Sequence, residues 1–351
     1  MSPIEKLKAA GDDAPRLCII ATGAGAGLQQ SIWVKPGISK FFVGSMMPYD
    51  TEETARILGF TPEKGVSEDT AVDLALAAYM RAYKPGKRAL GIGMTCSVTS
   101  ERKRHGEHRI IVAAFTEDAC FLINLLLPKG DFWPDDREKA GLEPLDPEVL
   151  KARIERKRFN DGRLADELAL HLLDALLGGV QVNNFHSLCE SFMNEQLPDI
   201  EVVSRMPLAR ERILAHPFFR ADGSRGTLAD IDFKDTVEYP GAYNPPHVGH
   251  HGAAKASMKT LAKRFGEYRG LLYSTATTHP IKGAMTSAEM LQRAVMMRGY
   301  NFLLTENDAL YMEKFRARQG ADFIMGADAL DRLLDPKWGI EPAEVRSEEH
   351  T

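Results

Sequence analysis

Short apolar runs alternate along the chain with amphipathic stretches, punctuated by glycine and proline. Residues 16–21 (RLCIIA) form an apolar run that ends in Thr22-Gly-Ala-Gly-Ala-Gly27. That order predicts a buried strand, a tight turn and a helix beginning at Leu28. Residues 40–46 predict a second strand. Residues 67–82 (SEDTAVDLALAAYMRA) predict a helix: Ser67 can cap it, Thr70 follows three residues later, and Glu68 and Asp69 fall in the first turn, where the helix dipole favours negative charge. Residues 88–94, 109–116 and 120–127 read as further strands. Residues 162–177 read as a Leu/Ala-rich helix closed by Gly178-Gly179, a C-cap signal.

Residues 180–233 lose this regularity and read as a connector carrying one or two helices, such as 184–195. A new alternation follows: strand 235–238, Gly/Pro loop 241–246, helix 250–265, strand 270–274 and helix 287–298. Strand 300–304, helix 309–318 and strand 321–325 complete it. Strands alternating with helices predict α/β layers. The expectation is an α/β protein of two domains, 14–179 and 234–345, with no repeat between the halves.

The length of 351 residues suits two domains. A net charge of −5 gives no general argument for nucleic-acid binding. Cys18, Cys96, Cys120 and Cys189 are too far apart for a C-x-x-C zinc pair, and three lie in or beside apolar runs. They read as small core residues of a reducing compartment. The first residues lack the apolar stretch of a signal peptide. The longest apolar run, 119–127, is too short to cross a bilayer. A cytoplasmic protein with no membrane or nucleic-acid partner is expected. Residues 346–351 (RSEEHT) have no periodicity and resemble a translated sequencing adapter. The natural chain is expected to diverge there, leaving the second domain incomplete.

The segment Tyr239-Pro-Gly-Ala-Tyr-Asn-Pro-Pro-His-Val-Gly-His250 follows a predicted strand and opens a predicted helix. Free N–H groups and the positive end of the dipole gather where a helix begins, which suits phosphate. Gly241 lets the chain turn and approach a ligand closely. His247 and His250 lie three residues apart, with Gly249 removing a side chain from the path. Both imidazoles could then give charge-assisted hydrogen bonds to one polyphosphate. His251 points elsewhere on the helix and reads as a surface residue.

This segment resembles the G-x-[FY]-x-P-x-H-x-G-H signature of the adenylyltransferase/cytidylyltransferase superfamily, whose histidines stabilise a triphosphate while an acceptor phosphate attacks the α-phosphorus. Phe323-Ile-Met-Gly-Ala-Asp328 resembles a motif of the nicotinamide or nicotinate mononucleotide adenylyltransferases, and Trp338 stands where their pyridine-stacking tryptophan follows it. Thr278-His-Pro-Ile-Lys282 resembles the loop that supplies a lysine near the phosphates. Arg293 to Met296 resembles the family's R-x-x-M, although Arg293 also reads as an ordinary surface helix charge. The resemblance implies a Rossmann-like domain, His247 and His250 as catalytic residues, and a binding set of Gly241, Ala242, Tyr243, Asn244, Gly249, Lys282, Gly326, Asp328 and Trp338. It implies ATP with Mg²⁺, a phosphorylated acceptor, and pyrophosphate release by in-line displacement through positioning and charge stabilisation. No protein metal ligand is expected, because Mg²⁺ needs few. Asn244 stands where an acid is common, and the family's later Ser/Thr-x-x-x-Arg helix start does not appear. Other readings remain open: a phosphopantetheine, sugar-phosphate or alcohol-phosphate acceptor, or a non-catalytic nucleotide-binding protein.

The first half resembles the CinA C-terminal domain, whose active members deamidate nicotinamide mononucleotide. Lys35-Pro-Gly-Ile-Ser39, Tyr49, Ile57-Leu-Gly-Phe60 and Gly65-Val-Ser-Glu-Asp-Thr-Ala71 occur in that family's order. Where the family has A-E-S-C-T-G-G, this chain has Ala21-Thr-Gly-Ala-Gly-Ala-Gly27. Gly23 then stands at the serine position with no side chain to attack an amide, so amidase activity is not expected. A packing or oligomerising role, and with it a homo-oligomer, is the expectation. Nucleotide binding at the Gly-rich turn stays open. Thr95, Ser97, Thr99 and Ser100 could also hold a phosphate, or serve as ordinary loop residues. The basic runs at 102–104 and 156–158 read as solvated.

Overall fold

A computed structural model describes residues 2–103, 105–117, 119–127, 129, 133–178, 202–205, 209–265, 270–279, 283–306, 308 and 310–333. The chain divides into two compact units, Met1–Arg212 and Ile213–Thr351.

The first unit runs α1 (Pro3–Ala10), β1 (Arg16–Thr22), α2 (Ala26–Trp33), β2 (Phe42–Met46), α3 (Thr51–Leu58) and α4 (Glu68–Ala82). It continues with β3 (Ala89–Ser97), β4 (His108–Phe115), β5 (Cys120–Leu127), α5 (Pro134–Lys139), α6 (Pro147–Leu177) and β6 (Val202–Arg205). Its sheet has the order β2-β1-β3-β4-β5-β6. The pairs β1–β2 and β1–β3 are parallel, and the remaining pairs are antiparallel.

Helix α4 begins as its sequence predicts, with Ser67 accepting a hydrogen bond from the Thr70 N–H. Nearly every residue of α4 is buried, and it lies directly on β3. Glycine makes this approach possible: a Cβ on Gly91 would sit 2.1 Å from the Tyr79 nitrogen, and one on Gly93 would sit 2.2 Å from the Ala71 oxygen. Ile4 and Leu7 of α1, Leu28 and Ile32 of α2, and Leu168, Leu172 and Leu173 of α6 share a core with Ile19, Ile92, Ile110 and Val112 of the sheet. Cys18, Cys96 and Cys120 are buried free thiols. Burial pushes the Cys18 thiol up to about 11 and also raises that of Cys96. Thiolate, the reactive form, is therefore suppressed.

Two expectations change here. Helix α6 is 31 residues long and starts at Pro147, where Asp146 caps the Glu148 and Val149 amides. Gly162 lies inside it, exposed enough that a Cβ there would meet nothing within 4 Å. Gly178 caps α6 as expected, with φ −77. The short helices α1 and α3 escaped the sequence pattern, since each has only two or three buried residues to mark it.

Helix α7 (Ala209–Ala215) spans the division between the units. The second unit follows with β7 (Phe218–Phe219), β8 (Arg225–Gly226), β9 (Thr236–Pro240), α8 (Val248–Phe265), β10 (Gly270–Ala276) and the hairpin β11 (Thr278–His279) with β12 (Gly283–Ala284). It ends with α9 (Ser287–Met296), β13 (Asn301–Thr305), α10 (Tyr311–Ala317), β14 (Asp322–Phe323) and α11 (Ala327–Leu333). The sheet order is β14-β9-β10-β13-β7-β8. The first four strands are parallel; β7 and β8 add antiparallel at the β13 edge. The stretch expected to be a connector thus supplies β6 to the first sheet and β7 and β8 to the second. Both sheets are in place, and the architecture is mixed α/β. Among the described residues, no helix is long and apolar enough to cross a membrane.

Candidate functional site

Strand β9 is the first of the four parallel strands, and the chain then moves outward through β10 and β13. It returns at β14 on the other side of β9, so the strand order reverses between β9 and β14. In open α/β sheets the crevice beyond the carboxyl ends at such a reversal is where ligands bind. The parallel register pairs Asp322 with Val237 and Phe323 with Glu238. The segments beginning at Gly241 and Met325 therefore leave the sheet at the same end.

The loop after β9 is built around Tyr243. This residue is buried and adopts φ +43. Its hydroxyl donates to the Tyr239 carbonyl, and its ring packs edge-on against Tyr273 and Phe302 at 5.4 and 6.2 Å. A Cβ on Gly241 would lie 2.7 Å from the Tyr243 ring, so glycine there makes room for the aromatic. The Gly241 N–H continues the sheet by donating to the Ser274 carbonyl at 2.9 Å. Ala242 and Asn244 are exposed on the loop. Tyr243, read from the motif as a ligand contact, is instead an internal support of the loop.

His247 and His250 come together at the start of α8. Their ring centroids are 3.8 Å apart with planes 34° from parallel. The His247 N–H donates to His250 Nδ1 at 3.2 Å, and the Gly249 N–H donates to His247 Nδ1 at 3.1 Å. The imidazoles thus cap two amides that a helix start otherwise leaves unpaired. Because each Nδ1 accepts, the neutral ring carries its proton on Nε2, so Nε2–H is the donor each ring has left. His247 is exposed and His250 half-buried. Burial, followed by the neighbouring His247 and His251, lowers the His250 pKa below the ordinary imidazole value. At neutral pH the ring is therefore uncharged, and a bond from it to a phosphate would draw its charge assistance from the anion alone. The free amides expected at this helix start are likewise relayed through the rings.

Two residues set aside in the sequence take part. Arg293 is buried, donating from Nε to the Ala242 carbonyl at 3.1 Å and from Nη1 to the Glu289 carbonyl at 2.9 Å. It ties α9 to the loop and is no surface charge. His251 is half-buried, stacked on Tyr300 at 4.7 Å with Nδ1 3.2 Å from the Tyr273 hydroxyl. The arginine's i+3 methionine was the only sequence signal for the first. Nothing local marked the second.

Gly326 is exposed beyond β14, and its carbonyl accepts from Ala329 and Leu330 as α11 begins. The backbone at Asp328 is helical. Lys282, Trp338 and the tail 346–351 lie outside the described residues, as does the helix expected at 184–195. Among the described residues, no group of three His, Cys, Asp or Glu could hold a metal ion.

In the first unit the Gly-rich turn is occupied from within. The Asp166 carboxylate of α6 packs on the start of α2, where a Cβ on Gly27 would lie 2.2 Å from its Oδ2; burial raises its pKa, and the nearby Leu28 and Gly27 amides offset this in part. Gly23 has φ +83, and a Cβ there would lie 2.2 Å from the Cys96 carbonyl oxygen. No serine fits this backbone. Thr99 gives its N–H and hydroxyl to the buried Asp161 at 3.1 and 2.8 Å. The Thr95 hydroxyl donates to the Gly65 carbonyl and that of Ser100 to the Arg102 carbonyl. Three of the four hydroxyl residues considered for phosphate thus have internal partners. Of the basic runs, Lys103 pairs with Asp135 and Asp136, Lys157 with Asp161, and Arg158 with the Thr99 carbonyl.

No protein-family model matches the sequence, and no curated protein does. Solved structures of the competence-damaged protein superfamily are similar to part of the chain. A competence or damage-inducible protein from Enterobacter asburiae is 19% identical over 47% of this chain and 96% of its own, with a TM-score of 0.32. A competence-damaged protein (CinA) superfamily protein from Escherichia coli is 15% identical over 48% and 87%, with a TM-score of 0.33. The competence/damage inducible protein CihA from Agrobacterium tumefaciens is 14% identical over 48% and 96%, with a TM-score of 0.30.

Proposed function

We propose that the second unit is a nucleotidyltransferase that moves an adenylyl group from ATP to nicotinamide or nicotinate mononucleotide and releases pyrophosphate. The observation that carries this reading is the His247–His250 pair, brought together at the carboxyl end of β9 beside the strand-order reversal with each Nδ1 taken by a backbone amide, which leaves Nε2–H as the donor for a ligand. Such a pair suits the oxygens of a triphosphate. Charge grows on the leaving pyrophosphate as the acceptor phosphate attacks the α-phosphorus in line, and donors fixed in advance stabilise it without reorganising. A phosphate near His250 would also draw a proton onto the ring and strengthen the contact. Magnesium arrives with ATP as part of the substrate. The choice of a pyridine mononucleotide rests on the Gly326-Ala-Asp328 sequence. The first unit is read as a CinA-like domain without amidase chemistry, because Gly23 has no nucleophile and no room for one; its remaining role is packing or assembly in a cytoplasmic protein.

The test is pyrophosphate release from ATP or CTP with a panel of acceptors: both pyridine mononucleotides, phosphopantetheine, a sugar phosphate and glycerol phosphate. Turnover of a pyridine mononucleotide, lost in His247→Ala and His250→Ala, is the expected result. Turnover of another acceptor alone would overturn the substrate. ATP binding without turnover of any acceptor would overturn the reaction and leave a nucleotide-binding protein.

A further inference from the structure

Four charged side chains are buried together in the second unit and play no part in the reaction proposed above. Glu238 on β9 is fully buried, and Lys314, Arg318 and Asp308 are 3%, 4% and 7% exposed. Arg318 Nε lies 3.0 Å from Glu238 Oε2, an ionic approach with poor hydrogen-bond alignment. The Arg318 Nη2 also meets the Asp308 carboxylate, and Lys314 Nζ lies 3.2 Å from Asp308 Oδ1. The Ser274 hydroxyl of β10 donates to Glu238 Oε1. Two acids and two bases cancel, which is how such a cluster tolerates burial. Networks of this kind add little net stability, and their best-attested use is to fix register.

A register here needs fixing. Strand β14 is two residues long and pairs with β9 alone. A parallel pair that short is weakly specified by its own backbone bonds. Glu238 grips this segment twice: its carboxylate faces Arg318, four residues before β14, and its carbonyl accepts the Ile324 N–H at 2.8 Å, just after β14. Two residues beyond Ile324 comes Gly326, where α11 starts.

We propose that Glu238 and Arg318 are positioning residues that set β14 on β9, so that the Gly326–Asp328 segment stands opposite the histidine pair as the second wall of the site. This rests on the nucleotidyltransferase reading for its substrate consequence, but not for its structural one.

The test compares Glu238→Gln, which keeps shape and the Ser274 bond, with Arg318→Lys and Arg318→Met in the full chain. The KM for the pyridine mononucleotide is expected to rise roughly tenfold or more in Glu238→Gln and Arg318→Met, since small misplacements of binding groups cost that much. Arg318→Lys should recover part of it. No rise in either variant would overturn the proposal. Amide hydrogen exchange provides the second readout. Ile324 and Ala329 should exchange faster in Arg318→Met while His250 and His251 do not. If the wild-type protein releases no pyrophosphate, the nucleotidyltransferase reading fails, and the exchange pattern alone decides the role of the pair. Equal exchange in wild type and Arg318→Met would then overturn it.

Discussion

Replacing Gly249 with alanine should separate folding from ligand binding. Gly249 is the second residue of α8. A Cβ there would lie 3.0 Å from both Cε1 and Nδ1 of His247, and the Gly249 N–H holds that same Nδ1 at 3.1 Å. The His247 ring must therefore give way by a few tenths of an ångström, which strains the bond to Nδ1 and the 3.8 Å stack on His250. For the helix itself alanine is the better residue, by about 0.8–1 kcal/mol in an interior and less in a first turn. Stability should hold or rise slightly. A hydrogen bond to a charged group is worth about 1.5–3 kcal/mol, with the lower end suited to an exposed ring. Losing one from His247 to a phosphate oxygen should weaken ATP binding by roughly tenfold. Titration calorimetry with Mg-ATP and a thermal melt on the same sample read both quantities. A variant that binds ATP as wild type does while His247→Ala does not, or that melts well below wild type, would contradict this.

Other expectations follow from the same geometry. The folded His250 pKa lies below its unfolded value because burial disfavours the imidazolium. The stability this group contributes is thus present above the unfolded pKa and is lost as pH falls through the folded one. A bound triphosphate reverses that preference, so ATP binding should take up a proton and tighten as pH falls from about 8 toward 6. Calorimetry in buffers of different ionisation heat measures the uptake, and its absence would remove His250 from the phosphate site. Gly23→Ser should destabilise the first unit by about 2–5 kcal/mol, combining left-handed strain with overpacking against the Cys96 carbonyl. It should also leave nicotinamide mononucleotide unhydrolysed; a denaturant melt and an ammonia-release assay check the two halves. Asp166→Ala should cost less than about 1 kcal/mol, because the burial that raises the Asp166 carboxyl pKa offsets what it gives the start of α2; the same melt measures it.

The alternation of apolar runs and glycine-rich turns was enough to place most strands of both sheets, and Ser67 with its acidic neighbours marked the start of α4. These features are local: a strand or a cap is written in adjacent residues, and the backbone obeys them before any packing occurs. The histidine pair was legible for the same reason, since three residues across a helix start bring two rings together without help from the rest of the chain. What they do with their nitrogens was not legible. Each Nδ1 is taken by a backbone amide two or three residues away, and the loop that carries them is held by Tyr243 and by Arg293, which donates to the Ala242 carbonyl from a helix 51 residues further on. Residues 202–233 were equally opaque, because β6, β7 and β8 are too short to show a period and exist only through the strands they pair with. The reversal of strand order beside β9, the carboxylate of Asp166 at the start of α2 and the buried charges around Glu238 join residues far apart in the chain. Such contacts depend on which surfaces meet in three dimensions, and no local pattern encodes them.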